Sequence, residues 1–405
     1  MLRVVIRKLQ SAMIYAKPLF IDTLTMLTKR GRSHPERVLI VRLDGIGDFV
    51  LWVDAALAIV KYYKDQGKQV ILLANSVWAG WASDLAIFDE VIMLERSRFT
   101  QDLQYRWKIG YRIRRLGCET AVQPSYSREW LLGDAAIRVS GAKERIGSSG
   151  DTSNIQQWQK RLSDRWYTRL IYSAPSPSME LLRNAEFVRG LTGTNFLAKL
   201  AKLPQIMGQR PSEVVDARIA HDGAYYSLFP GASWDGRRWP IANFAVIAAR
   251  LNKKYGWQGV VCGGNGDCDL AEELCRMCDA PLLNLSGRTD LTQLNAILAH
   301  TKLLLTNETS AAHIGALCDV PTVCILGGGH FGRFMPYQVE QMTGQRLPCA
   351  VIHSMPCFGC DWSCIYARSK NGPTPCIERI SVDRVWQAIG ESLGNGSSPP
   401  NPIET

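Results

Sequence analysis

No stretch of this chain approaches the ~18 to 20 uninterrupted apolar residues that a bilayer span requires, so no membrane-crossing segment is expected. A cleavable leader is not expected either: the opening apolar segment is broken by Lys17, Pro18 and Asp22 and lacks a clean small-residue cleavage site. The chain therefore reads as cytoplasmic. The third glycine of a dinucleotide fingerprint is also absent. Gly45-Ile46-Gly47 opens that pattern, but Val50 stands where it would close, which argues against a nicotinamide-dependent oxidoreductase. Nor is there a repeat of solenoid length.

What is present suits a soluble globular protein: 405 residues, 46% hydrophobic and 21% charged, enough for two domains with good cores. The formal charge of +10 is unevenly spread. Residues 1–37 hold eight Lys or Arg against Asp22 and Glu36, and residues 96–115 hold seven against Asp102. In the opening helix Leu2, Val5, Ile6, Leu9 and Met13 share one side, while Arg3, Arg7 and Lys8 lie on the other. Two readings stand: a helix on the anionic inner face of the cytoplasmic membrane, or one packed on the protein with a solvated basic face. In the second basic segment Phe99, Tyr105, Trp107 and Tyr111 could interleave with nucleic-acid bases, but a helix with one aromatic and one basic face explains it as simply.

From residue 37 onward, strand-like runs alternate with amphipathic helical stretches, the pattern of a parallel sheet with crossover helices. Expected strands are Val38–Leu43, Val70–Ala74, Val91–Leu94 and Thr120–Gln123, then Tyr225–Phe229, Gly259–Cys262, Leu282–Leu285, Leu303–Thr306 and Thr322–Leu326. Residues 150–220, with Pro175, Pro177, Pro204 and Pro211, break the alternation and place a boundary near 205–222. The fold class is thus α/β, two Rossmann-like domains facing across a cleft. Its expected divisions are a basic helix at 1–36, domains at 37–215 and 216–380, a helix at 381–393 capped by Ser381, and a disordered Gly/Ser/Pro-rich tail at 394–405.

The first domain opens on Val38-Leu39-Ile40-Val41-Arg42-Leu43-Asp44-Gly45-Ile46-Gly47-Asp48, a buried strand, a glycine turn and a helix. Asp48 falls where open α/β sheets place their ligands; its simplest structural role is helix capping. In the second domain the loop Pro230–Pro240 can offer Ser233, main-chain amides and Arg237 to a diphosphate. Cys262-Gly263-Gly264-Asn265-Gly266-Asp267 permits close approach of a ligand, with Asp267 able to accept from a ribose or base. In Thr306-Asn307-Glu308-Thr309-Ser310-Ala311-Ala312-His313, small residues leave a helix amino end open to phosphate, and Glu308 could hold sugar hydroxyls. His313 alone suits a packing role. Arg128, on an expected strand-to-helix loop, is a candidate for an anionic acceptor.

Seven of the twelve cysteines fall in or beside core elements, where the thiol behaves as a small apolar group. Cys349, Cys357, Cys360, Cys364 and Cys376 crowd a loop-like segment instead. Cys357, Cys360, Cys364 and Cys376 could bind one zinc ion, but their spacing is irregular for a zinc ribbon, and a disulfide or clustered reduced thiols account for them better.

Taken in order, Val-Arg-Leu-Asp-Gly-Ile-Gly-Asp, Pro-Gly-Ala-Ser with Arg-Arg-Trp-Pro, Ser286-Gly287-Arg288-Thr289-Asp290-Leu291, and Asn307-Glu308-Thr309 with His313 and Pro321-Thr322-Val323 resemble the heptosyltransferase family, glycosyltransferase family nine. Ser140–Gly147 and Asn184 also look like that family. The resemblance, over about residues 37–390, implies a GT-B fold and inverting, metal-independent transfer from a nucleotide-diphosphate sugar such as ADP-heptose to a lipopolysaccharide core or related glycan. It also implies Asp48 as the catalytic carboxylate, Arg237 at the donor phosphates, and Glu308, Thr309, Ser310 and His313 in the donor-binding segment. A phosphorylated glycolipid acceptor then accounts for the basic first domain, and no nucleic-acid partner is expected. The chain departs from the family in having Glu308 for Asp and Ser310 for Gly, which shifts and narrows the sugar pocket. It also reads Gly327-Gly328-Gly329-His330 where a Gly-Pro-Thr type loop is common. The alternative function is a non-catalytic nucleotide-sugar binder or scaffold of the same fold.

Overall fold

The computed structural model describes residues 2–174, 178–201, 223–339, 346–394 and 403–404, with side chains between residues 15 and 394. It divides into two compact units, Met1–Ser176 with Arg183–Leu197, and Pro177–Leu182 with Ala198–Thr405. The boundary expected near 205–222 and most of the tail expected at 394–405 lie outside the described residues.

In the first unit α1 (Leu2–Leu27) precedes β1 (His34–Arg42), α2 (Ile46–Lys64), β2 (Gln69–Asn75), α3 (Ser76–Asp84), β3 (Glu90–Leu94), α4 (Arg96–Gln101), α5 (Leu103–Arg115) and β4 (Cys118–Gln123). There follow α6 (Ala135–Ser140), β5 (Glu144–Ser148), α7 (Gln157–Ser163), β6 (Arg169–Ile171) and α8 (Glu180–Thr192). All six strands are parallel, in the order β3-β2-β1-β4-β5-β6. Val38, Leu39, Ile40 and Val41 are fully buried because this central strand is covered on both faces. Each such side chain stabilises the fold by about 1.5–3 kcal/mol. Arg42, the one charge in that run, is also fully buried, paired with Asp44 at 2.9 Å and lying over the Trp52 ring.

In α1 the face formed by Pro18, Asp22 and Thr25 is buried, and Asp22 forms a two-point ion pair at 2.7 Å with Arg106 of α5. The aromatic residues of the second basic segment divide: Phe99 is buried, whereas Trp107 and Tyr111 stack on the surface with centroids 5.3 Å apart. No helix among the described residues is long and apolar enough to cross a membrane.

The second unit repeats the plan with β7 (Tyr225–Phe229), α9 (Ile241–Tyr255), β8 (Gln258–Val261), α10 (Cys268–Met277), β9 (Leu282–Asn284), α11 (Leu291–His300), β10 (Leu304–Asn307), α12 (Ser310–Leu317) and β11 (Thr322–Ile325). It closes with β12 (Cys349–Ile352), α13 (Pro375–Glu378), α14 (Val382–Gly394) and the two-residue β13 (Ile403–Glu404). The parallel order is β13-β12-β11-β10-β7-β8-β9. In α14 the Ser381 hydroxyl accepts from the Arg384 amide at 3.3 Å, and Val385 and Ile389 enter the core beneath it.

Both sheets therefore wind outward in two directions from a central pair, β1/β4 in one and β7/β10 in the other. At such a switch point the loops leaving the two strands diverge and open a crevice at their carboxyl ends. Asp44–Asp48 and Ser125 lie there in the first unit, and Pro230–Arg237 and Glu308–Thr309 in the second. Strands β5, β6, β12 and β13 add to those expected, and β13 lies within the tail expected to be disordered, where it pairs with β12. Residues 150–220 do not simply interrupt the alternation, since β6 and α8 continue it.

Candidate functional site

At the first switch point the backbone turns from β1 through Gly45, the residue preceding α2. Asp48, third in that helix, reaches back so that its Oδ2 accepts the Gly45 amide at 3.1 Å. Asp44 sits beside it at the end of β1, with Ser125 donating to its Oδ1 at 2.9 Å. The Asp44 main-chain oxygen accepts from Asn75 and from the Trp78 indole, both at 2.9 Å, which fixes the loop.

Arg128 is enclosed. Its side chain is fully buried, ion-paired with Asp134 at 3.6 Å and with Asp164, and lies over the Tyr167 ring. The Tyr167 hydroxyl in turn donates to Asp134 at 2.5 Å. A strand-to-helix position suggested an acceptor contact, but two acids already compensate this guanidinium inside the unit.

The second switch point gathers most of the residues singled out there. Arg237 ends a short 3-10 turn, Asp235–Arg237, after β7. Its Nη1 donates to the Ser233 hydroxyl at 3.3 Å, and its Nη2 donates to the Glu308 main-chain oxygen at 2.6 Å. The Glu308 carboxylate lies 3.4 Å from Nη2, an ion pair rather than a well-formed hydrogen bond. Glu308 is 2% exposed, and neither of its carboxylate oxygens accepts a hydrogen bond among the described residues. Burial pushes its carboxyl up to about 7, with Arg237 pulling the other way.

Asn307 locks the two loops together, its Nδ2 donating to the Pro230 oxygen at 2.6 Å and its Oδ1 accepting from the Trp239 amide at 3.0 Å. Thr309 caps α12 by accepting from the Ala311 amide at 3.3 Å, and Ser310 is the first residue of that helix. The amino end of a helix carries partial positive charge, which favours an anion there. His313, one turn on, is buried with its Nδ1 2.6 Å from the Tyr337 hydroxyl. Burial, reinforced by Arg237, holds its imidazole down to about 4, so the ring is neutral near pH 7.

Asp267 caps its own turn, accepting from the Gly264 amide at 2.9 Å. Its carboxylate lies directly against Gly231, where a side chain would overlap it. The loops after β7 and β8 therefore touch, and Asp267 reaches the edge of the same crevice.

None of the twelve cysteines is disulfide-bonded, Cys357, Cys360, Cys364 and Cys376 among them. No group of three or more His, Cys, Asp or Glu among the described residues is placed to hold a metal ion. The segment brings an aromatic residue instead. Trp362 packs edge-on to Trp234 at 5.9 Å, and the Arg237 guanidinium lies over its ring at 5.1 Å. No local spacing in the sequence ties Trp362 to Arg237 or Tyr337 to His313, so neither residue is marked there. Asn307 was visible beside Glu308, but its bridging role depends on the pairing of two distant loops.

Residues 191–358 match the family model described as glycosyltransferase family 9 (heptosyltransferase). Among curated proteins, the chain is 28% identical over 172 residues to lipooligosaccharide heptosyltransferase 2 of Campylobacter jejuni, covering 42% of this chain and 50% of that protein. It is 26% identical over 125 residues to lipopolysaccharide heptosyltransferase 2 of Salmonella typhimurium, covering 30% of this chain and 36% of that protein. The matches thus span half or less of the length of these relatives. Among solved structures, E. coli ADP-heptose lps heptosyltransferase II superposes with a TM-score of 0.63 at 16% identity, covering 88% of this chain and 98% of that one. The fold is GT-B, and the resemblance to the heptosyltransferases recurs in the family model, the curated relatives and the solved folds.

Proposed function

We propose that this chain is a glycosyltransferase of heptosyltransferase type, moving a sugar from a nucleotide-diphosphate donor to a lipopolysaccharide core or related cell-surface glycan. The observation that carries the reading is Arg237, held between the Ser233 hydroxyl and Glu308 at the switch point of the second sheet, next to the amino end of α12. Family resemblance supports it, as does the matched domain over residues 191–358. A solved relative of this fold, E. coli WaaC, was determined with ADP-2-deoxy-2-fluoro heptose, which makes an ADP-linked heptose the first donor to test here.

In this reading the second unit holds the donor. Ser233, Arg237, Thr309, Ser310 and the α12 amides receive the diphosphate, Glu308 receives sugar hydroxyls, and Asp267 a ribose or base. His313 supports the pocket from beneath. As the glycosidic bond to the diphosphate breaks, negative charge grows on the leaving oxygens, and the fixed positive charge of Arg237 with the helix amides lowers the energy of that state. These groups supply the counter-charge that a divalent cation provides elsewhere, so transfer is expected to continue in a chelator.

Asp48 is assigned the general base. It removes the proton from the acceptor hydroxyl, whose oxygen attacks the anomeric carbon opposite the leaving diphosphate and inverts that centre. The leading basic helix, with Phe20, Leu24 and Leu27 exposed, is assigned to the anionic surface of the cytoplasmic membrane, where a glycolipid acceptor resides.

Thermal-shift titration with ADP-, GDP-, UDP- and dTDP-sugars tests the donor assignment. The reading expects a selective shift with one nucleotide class, strongest for an ADP-sugar, and its loss in Arg237→Ala. Binding without turnover in the presence of acceptor would favour the non-catalytic alternative.

A further inference from the structure

The segment from Met355 to Thr374 has an unusual backbone beside the candidate donor site. Gly359 sits at φ +84°, and the consecutive non-glycine residues Asp361 and Trp362 sit at φ +49° and +61°. A left-handed conformation is costly for a bulky residue and persists only where its surroundings over-determine it. Here they do. The Gly359 amide donates to the Gly328 oxygen at 2.7 Å and the Asp361 amide to the Gly329 oxygen at 3.0 Å. His330 Nε2 donates to Asp361 Oδ1 at 2.7 Å, which leaves Nδ1 to accept from the Trp362 indole at 3.3 Å. The far end of the segment is tied by Thr374, whose amide and hydroxyl both donate at 2.9 Å to the oxygen of Gly236, the residue preceding Arg237.

These contacts explain the three consecutive glycines after β11. A Cβ on Gly327 or Gly329 would overlap the Trp362 ring, and one on Gly328 would overlap Phe358. The place where this chain departs from the Gly-Pro-Thr type loop is therefore the seat of the indole. On that indole rests Arg237, 5.1 Å from the ring centroid. The guanidinium Nε is buried and has no hydrogen-bond acceptor among the described residues, so the aromatic face is what compensates that side of the cation.

We propose that Trp362 is a positioning residue of the donor site: seated on Gly327 and Gly329, its indole holds the Arg237 guanidinium in the direction from which it meets a nucleotide diphosphate. The proposal rests on the donor-site reading above and extends it to a residue that the motifs do not include. Trp362 acts through Arg237, so its effect belongs to diphosphate binding and vanishes when Arg237 is absent.

The test is calorimetric titration of ADP and of inorganic pyrophosphate into the full-length protein and into Trp362→Leu, Trp362→Phe, Arg237→Ala and the Trp362→Leu/Arg237→Ala double variant. Trp362→Leu is expected to weaken both ligands about three- to tenfold, and Trp362→Phe, which keeps an aromatic face, to recover most of the loss. In the Arg237→Ala background the Trp362 change is expected to do nothing further. Wild-type affinity in Trp362→Leu, or a loss fully additive with Arg237→Ala, overturns the proposal. If the leucine variant fails to fold, Trp362→Met, which also lacks an aromatic face, carries the comparison with the same expected loss.

Failure of the unaltered protein to bind either ligand would refute the donor-site reading instead. The positioning contact is then judged by NMR, from the ring-current shift of the Arg237 δ protons. Loss of that shift in Trp362→Leu supports the contact, and an unchanged shift refutes it.

Discussion

Arg237 donates from Nη2 to the main-chain oxygen of Glu308 at 2.6 Å, joining the loop after β7 to the loop after β10 across the centre of the second sheet. A planar guanidinium can serve Ser233, Glu308 and an incoming diphosphate together, which a lysine ammonium cannot do in the same geometry. Arg237→Ala is expected to weaken ADP binding about ten- to a hundredfold, the range for a charge-assisted hydrogen bond. Arg237→Lys should recover only part of that. Isothermal calorimetry measures both, and full affinity in the lysine variant would contradict the bidentate role.

Glu308 and His313 make opposite contributions to the pH dependence of stability. The folded protein keeps a proton on Glu308 up to about 7, whereas an ordinary glutamate loses it near 4.5. That contribution is complete below about 4.5 and is lost as pH rises through about 7. His313 is held down to about 4 against an ordinary 6.5, so its contribution is complete above about 6.5 and is lost as pH falls through about 4. Between those limits the two slopes oppose each other. Glu308→Gln should remove the first and leave a Tm that climbs from pH 4.5 to 6.5 more steeply than in the unaltered protein. An unchanged profile by scanning calorimetry would contradict this.

Asp48 is assigned two separable duties. As the group that accepts the Gly45 amide at 3.1 Å it contributes to the start of α2, and as a base it acts only in transfer. Asp48→Asn keeps an acceptor oxygen but cannot take a proton. Its kcat is expected to fall about a hundredfold or more, while ADP affinity stays within twofold and Tm within a few degrees. A parallel loss of affinity and stability would assign Asp48 to the fold alone.

The buried pair of Asp22 and Arg106 holds α1 against α5. Arg106 also donates at 2.9 Å to the Phe99 and Leu131 oxygens, so it stays in place when its partner is removed. Asp22→Ala then strands a buried cation and is expected to cost about 3–5 kcal/mol. Denaturant titration reads this, and a change below about 1 kcal/mol would show that the pair is dispensable.

The fold was legible wherever burial is two-sided, because runs such as Val38–Val41 and Tyr225–Leu228 have no other stable place than a covered parallel sheet. Strands β5 and β6 escaped because Glu144-Arg145 and Arg169 put charge into them and β6 is a three-residue edge segment, so their stability comes from pairing with a neighbour rather than from composition. The loops after β7, β8 and β10 were legible for a local reason, since glycines, small residues and a helix start mark them in the sequence. Arg128 and Trp362 were not. One is drawn inward by Asp134 and Asp164 and the other toward Arg237 across a long stretch of chain, and no local pattern encodes either contact.

The most direct measurement is release of nucleoside diphosphate from ADP-heptose by the full-length protein, with and without a heptose-deficient lipopolysaccharide acceptor, repeated with Asp48→Asn and in a chelator. The account predicts acceptor-dependent release that persists in the chelator and is lost in the variant. If neither ADP-heptose nor a GDP-, UDP- or dTDP-linked sugar is discharged with acceptor present, the protein is not the transferase proposed here.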